Sequence, residues 1–193
     1  MSQNLTLFAT CPKGVEDLLA EECEQQHLTE VSTTHGGVFC QGDLEKAYRL
    51  CLWSRVASRV LLKLHEFPVS GHDDLYLGVQ TIDWSSHLDS SGSFAIDVHT
   101  THQNINNSHY ATLKIKDAIA DQFTQKYEHR PDVKRDQPDV RINAYIDKHN
   151  CTLYLDLSGE PLHKRGYRQQ AGAAPLKENL AAAILLRAHW TQM

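Results

Sequence analysis

The stretch Val140-Arg141-Ile142-Asn143-Ala144-Tyr145-Ile146, Asp147-Lys148-His149-Asn150, Cys151-Thr152-Leu153-Tyr154-Leu155-Asp156-Leu157-Ser158 decides the fold class. On both sides of the polar tetrad, apolar and polar side chains alternate with period two, the spacing of a strand with one covered face. The reading is a hairpin, with Val140, Ile142, Ala144 and Ile146 sharing a buried face with Cys151, Leu153, Leu155 and Leu157. The other face of each strand is expected to be polar. Immediately upstream the period changes. Ile115, Ala118, Ile119, Phe123 and Tyr127 recur at helical spacing and predict the longest helix, over 109–127. A polar loop with Pro131 and Pro138 joins it to the hairpin. Further back lie a short helix over 73–80 and a strand over 93–99, then a segment of mostly polar residues from Thr100 to Ser108. Downstream, Pro161 to Arg168 reads as extended. Gly172 and Pro175 precede a helix over 176–189.

The N-terminal third has its own order. Residues 5–10 read as a strand, and Pro12 suits the first turn of a helix whose inner face carries Val15, Leu18, Leu19 and Cys23. Glu16 and Asp17 place acids near that helix's start. Residues 30–34 and 37–41 flank His35-Gly36-Gly37, a hairpin signal. Asp43 is a natural N-cap for a helix over 44–53, and 59–66 reads as a strand. The order β-α-β-β-α-β is that of a ferredoxin-like unit. Pro68, Gly71 and His72-Asp73-Asp74 mark a boundary after it.

The chain has 193 residues, 41% of them hydrophobic and 22% charged, as in ordinary folded domains. No apolar run approaches the roughly 18–20 residues of a membrane span, and the first residues lack the features of a signal peptide. Five cysteines, an odd number with no Cys-x-x-Cys pair, suggest reduced thiols used as small apolar fillers in a cytoplasmic protein. The net charge of −5 is unevenly spread: residues 1–112 carry 6 basic and 14 acidic side chains, residues 113–193 carry 13 and 10. An anionic partner would therefore meet the second half.

No P-loop, Gly-x-Ser-x-Gly or Gly-x-Gly-x-x-Gly is present. His99, His102 and His109 cluster without a cysteine pair or a fourth ligand, so no metal site is expected. The best candidate for chemistry is Lys164-Arg165-Gly166-Tyr167-Arg168, three cations and an aromatic that can contact phosphates and stack on a base. If the segment is extended, Lys164, Gly166 and Arg168 face one way, Arg165 and Tyr167 the other. A basic edge strand that discourages aggregation is the competing reading. Arg130, Lys134 and Arg135 share one loop, where Glu128, Asp132 and Asp136 nearly cancel them. With Arg141 they form a second rank of candidates.

The whole chain resembles the N-terminal part of the bacterial THUMP-containing 23S ribosomal RNA guanine-N2-methyltransferases of the large K/L type. The resemblance runs from Phe8 to Trp190. It is carried by Phe8-Ala9-Thr10, Gly36-Gly37-Val38, Trp53-Ser54-Arg55-Val56-Ala57-Ser58-Arg59, Leu75-Tyr76-Leu77-Gly78-Val79-Gln80 and Lys114-Ile115-Lys116-Asp117-Ala118-Ile119. Its most specific part is Leu155-Asp156-Leu157-Ser158-Gly159, His163 to Arg168 and Ala174-Pro175-Leu176-Lys177-Glu178-Asn179-Leu180-Ala181-Ala182-Ala183. The resemblance implies an α+β protein: a ferredoxin-like subdomain over 1–66, then a THUMP RNA-binding domain over 67–168 with a mixed sheet and flanking helices. Residues 169–193 would be the lead-in helix of a Rossmann-like methyltransferase domain. It implies 23S ribosomal RNA and that methyltransferase domain as partners. S-adenosylmethionine would be the cofactor of the full-length enzyme. Neither the family's glycine-rich loop nor its Asn/Asp-Pro-Pro-Tyr motif occurs before Met193. The chain is thus expected to be a truncated piece with no catalytic or cofactor residues of its own. The alternative is a THUMP module of a tRNA-modifying enzyme, a methyltransferase or thiouridine synthetase.

Overall fold

A computed structural model describes residues 4–166, 168, 170 and 172–190. The chain divides into two units, one formed by residues 1–62 with 160–193, the other by 63–159. The described residues 160–166, expected to close the second domain, group with the first unit.

In the first unit, β1 (Leu5–Thr10) leads to α1 (Glu16–Gln25), β2 (Thr29–Thr34), β3 (Gly37–Gly42), α2 (Leu44–Trp53) and the first part of β4 (Arg59–Pro68). The strand order is β2-β3-β1-β4, and each neighbouring pair is antiparallel. This is the ferredoxin-like arrangement that the β-α-β-β-α-β order predicts. Asp43 caps α2 by accepting the Lys46 N–H at 2.9 Å. Pro12 lies outside α1, which starts at Glu16. The delay has a local cause. Gly14 adopts φ +85°, and the Glu16 carboxylate accepts the N–H groups of Gly14 and Gly36 at 2.8 and 2.9 Å. Those hydrogen bonds, that of Gly36 foremost, hold the Glu16 carboxyl below its ordinary pKa. Val15, Leu18, Leu19 and Cys23 are all buried, as their spacing demands.

The α2–β4 junction, Ser54–Ser58, is held from three sides. Glu22, 5% exposed on α1, accepts from the Ser54 hydroxyl at 2.6 Å and from the backbone N–H groups of Arg55 and Val56. Arg165 donates to the Ser54 carbonyl at 2.9 Å. Asn179, on α5 (Glu178–Arg187), donates to the Val56 carbonyl and to the Ser58 hydroxyl. The stretch Trp53 to Arg59 thus gathers contacts from residues more than a hundred positions away.

The second unit contains α3 (His72–Gln80), a single 3-10 turn over Trp84–Ser86, β5 (Ser93–Thr100), α4 (Ser108–Tyr127), β6 (Asp132–Val133), β7 (Val140–Ile146) and β8 (Asn150–Asp156). Its strands run β8-β7-β5-β6: β7 is antiparallel to β8, and β5 is parallel to both β6 and β7. Parallel neighbours need a crossover, and α4 supplies it. Trp84, Phe94, Ile115, Ile119, Phe123, Ile142, Ile146 and Leu153 make the core. Trp84 satisfies its indole N–H on the Val79 carbonyl at 2.9 Å.

Several expectations need correction here. Tyr127 is 45% exposed, because α4 ends at the αL residue Glu128 and its last turn projects past the core. The polar loop 128–138 contains β6, held by parallel pairing of Asp132 and Val133 with β5. The polar face expected for β8 is covered: Thr152 and Tyr154 are buried, while Leu155 is only half-buried. Among the described residues, the segment 161–166 is not a strand. Lys164 N–H closes a turn on the Pro161 carbonyl, and Gly166 adopts φ +81°. The expected alternation of faces therefore does not exist. The polar stretch after Thr100 is structural. His102 Nδ1 accepts the N–H groups of Asn104 and Ile105, Ile105 is fully buried, and Asn107 caps α4.

Gly78 shows how close α3 lies to β4. A Cβ at this position would meet the Phe67 ring at 2.1 Å. Gly78→Ala should destabilise by about 1–3 kcal/mol, the usual cost of overpacking. Thermal melting followed by near-UV dichroism checks this, and an unchanged midpoint would contradict it.

Candidate nucleic-acid interface

The candidate residues fall into two groups, one in each unit. In the first unit, the turn at 161–166 scatters the basic cluster instead of aligning it. Lys164 is exposed and faces Glu160 at 3.8 Å. Exposed pairs of this kind contribute about 0–1 kcal/mol, so a phosphate can displace the carboxylate at little cost. Arg165 reaches back to Ser54. Arg168 donates to the Leu176 carbonyl at 2.7 Å and pairs with Glu178 at 3.3 Å. Tyr167 lies outside the described residues. Lys164, Arg168, His163, Lys177 and Glu178 line a groove of about 320 Å³. Burial, and then Lys177, push His163 below the ordinary imidazole pKa; Lys164 and Arg59 add to this and Glu178 opposes it.

In the second unit, Arg130, Lys134 and Arg135 are exposed. Arg141 is committed: its guanidinium bonds Asp97 at 2.9 Å and the Arg135 carbonyl at 3.2 Å, and only 16% of its side chain is accessible. Arg135 shares a groove of about 260 Å³ with Lys116, His109, Ser108, Thr112 and Asp97. The groove runs along β5 beside the first turns of α4, and that helix has no acid in its first turn. Its donors and cations suit an anion near a helix N-terminus. The sequence reading did not group Ser108, His109, Thr112 and Lys116 with Arg135, because only the packing of α4 on β5 brings them together.

His99 stacks on Tyr145. Among the described residues no group of three His, Cys, Asp or Glu could hold a metal ion. All five cysteines are free thiols. Burial raises Cys11 and Cys151 to about 12, which leaves them protonated and unreactive. Two strand-to-helix junctions of the first unit lack a glycine-rich cofactor loop: β1 reaches α1 through a loop with Gly14 as its only glycine, and Asp43 joins β3 directly to α2. A dinucleotide-like cofactor such as S-adenosylmethionine needs several glycines at such a junction, so the residues at these two do not fit it. No helix among the described residues is long and apolar enough to cross a membrane.

Residues 6–61 match the RlmL ferredoxin-like domain and residues 70–156 match the THUMP domain. The molecule is thus of the class that joins these two α+β domains. Among curated proteins, ribosomal RNA large subunit methyltransferase K/L of Syntrophotalea carbinolica is 49% identical over 98% of the chain. The protein of the same name from Pseudomonas aeruginosa is 49% identical over the whole chain. The chain is similar to these K/L methyltransferases along its whole length and spans about a quarter of the length of these relatives, 27% in both cases. Among solved structures, SMU.472 in complex with SAH superimposes with TM-score 0.84 at 28% identity. The match covers 98% of this chain and 50% of that one.

Proposed function

We propose that this chain is the RNA-recognition region of an S-adenosylmethionine-dependent 23S rRNA guanine-N2-methyltransferase. It positions ribosomal RNA in the cytoplasm for a catalytic domain that lies in the rest of the protein. One observation carries the reading: identity near one half extends without interruption across both domains. S-adenosylmethionine belongs to the remaining part of the enzyme. Within this chain, RNA contacts centre on Lys164, Arg165 and Arg168, with Tyr167 as a stacking group. Arg130, Lys134, Arg135 and Arg141 are the second rank, and of these Arg135 has the groove of the second unit behind it.

The test is fluorescence anisotropy with a 23S rRNA hairpin at two salt concentrations. Binding should be weak and salt-sensitive, because the net charge of −5 opposes long-range attraction and affinity must come from local cations. A Lys164/Arg165/Arg168 triple alanine variant should lose most of the affinity and about two to three units of the log–log salt slope. Its melting temperature must be followed in parallel, since Arg165 and Arg168 also hold backbone carbonyls. Unchanged affinity in the triple variant would refute the site. Calorimetry with S-adenosylmethionine should show no heat, and micromolar binding would contradict the placement of the cofactor elsewhere.

A further inference from the structure

We propose that the ferredoxin-like unit carries a site for one unpaired ribonucleotide, its base stacked on Trp53 and its phosphate held over Lys164 and Lys177. The inference rests on the reading of the chain as an RNA-recognition region, and it names the form of RNA bound. Trp53 is the last residue of α2 and is 64% exposed, beside Leu52 at 65%. The inward residues of the same helix, Ala47 and Leu50, are fully buried. Core packing therefore does not account for the indole. It forms a wall of an open groove of about 750 Å³, together with Arg55, Leu162 and Arg165. That volume is within the range of ligand clefts, about 300–1,000 Å³. A flat indole beside two guanidinium groups is the surface on which an unstacked base lies.

The groove of about 320 Å³ adjoins this one and shares His163 and Glu178 with it. There the charge balance favours an anion. Glu178 is taken by Arg168 at 3.3 Å, and among the described residues Lys164 pairs with an exposed Glu160 at 3.8 Å, leaving Lys164 and Lys177 to meet a phosphate. An aromatic wall and a cationic wall on joined grooves match the two ends of a nucleotide. In a duplex both faces of a base are covered by its neighbours, so stacking on Trp53 selects an unpaired strand.

Intrinsic fluorescence tests this in a Trp190→Phe background, where Trp53 and the fully buried Trp84 are the emitters. A short single-stranded oligoribonucleotide should quench emission, and the same strand in a duplex should not. Trp53→Ala should weaken single-strand binding about tenfold, the effect of losing one stacked base. Trp53→Phe should restore most of it, and neither change should move the melting temperature. A Lys164→Glu/Lys177→Glu double variant should weaken binding and flatten its salt dependence. Wild-type affinity of Trp53→Ala for the single strand would overturn the site. If the 23S rRNA hairpin still binds in that case, the broader function stands and this inference falls. If the unaltered chain binds neither RNA, both fall.

Discussion

Glu22→Ala should cost the first unit about 3–5 kcal/mol, the range for breaking a buried charged cluster by removing one member. Glu22 is 5% exposed and serves Ser54 Oγ at 2.6 Å, the Arg55 N–H at 3.1 Å and the Val56 N–H at 3.2 Å. Truncation removes the acceptor these donors share, at about 1–3 kcal/mol for each group left unsatisfied. The Arg55 guanidinium adds little, since its side chain is 53% exposed and 3.4 Å away. The damage should spread, because the same junction receives Arg165 and Asn179. Amide exchange at 54–58 and in α5 should accelerate together, and the melting point of this unit should fall by roughly 10 °C or more. Glu22→Gln, which keeps an acceptor, should lose less. A change within about ±0.5 kcal/mol for Glu22→Ala would show that the junction stands without it.

Leu153→Ala should destabilise the second unit by about 2–5 kcal/mol, the range for a buried leucine. Leu153 is fully buried, opposite Ala144 in the β7–β8 ladder, within the core that holds Ile115, Ile119 and Phe123. The cavity left behind would be lined by Ile142 and Ile146 on the adjoining strand, which is itself fixed between β8 and β5 and cannot collapse inward. Alternation alone gives Leu155 the same expected loss. The structure separates the two, because Leu155 pairs with Ile142 near the end of the ladder and is only half-buried. Its truncation to alanine should cost less than half as much. Urea titrations of both variants decide the matter, and equal losses would mean that the end of the hairpin is covered as fully as its middle.

Much of this was readable in advance because it is local. The Asp43 cap, the Glu16–Asp17 start of α1 and the two alternating strands of the hairpin each depend on residues a few positions apart. The same holds for Ile115, Ala118, Ile119 and Phe123 on one face of α4. The ferredoxin-like order was legible on such grounds, and the family resemblance through the motifs Phe8 to Thr10, Trp53 to Arg59, His163 to Arg168 and Ala174 to Ala183. The basic cluster was legible as composition, but its geometry was not.

The amino-acid sequence by itself determined where strands and helices lie, which of their faces seek cover, and where positive charge gathers. Only the tertiary structure decided which of those charges are held by distant parts of the chain. Arg165 and Arg141 look alike in sequence to Lys164 and Arg135, yet Ser54 and Asp97 claim them through contacts spanning 111 and 44 positions. The same holds for β6, whose two residues become a strand only because β5 runs beside them, and for Trp53, whose exposure reflects a groove assembled from α2, the 162–165 turn and α5. Periodicity and capping are set by forces acting within a turn or two of the chain. Burial, pairing of distant charges and the shape of a groove depend on which remote segments meet, and that is settled only when the whole chain has packed.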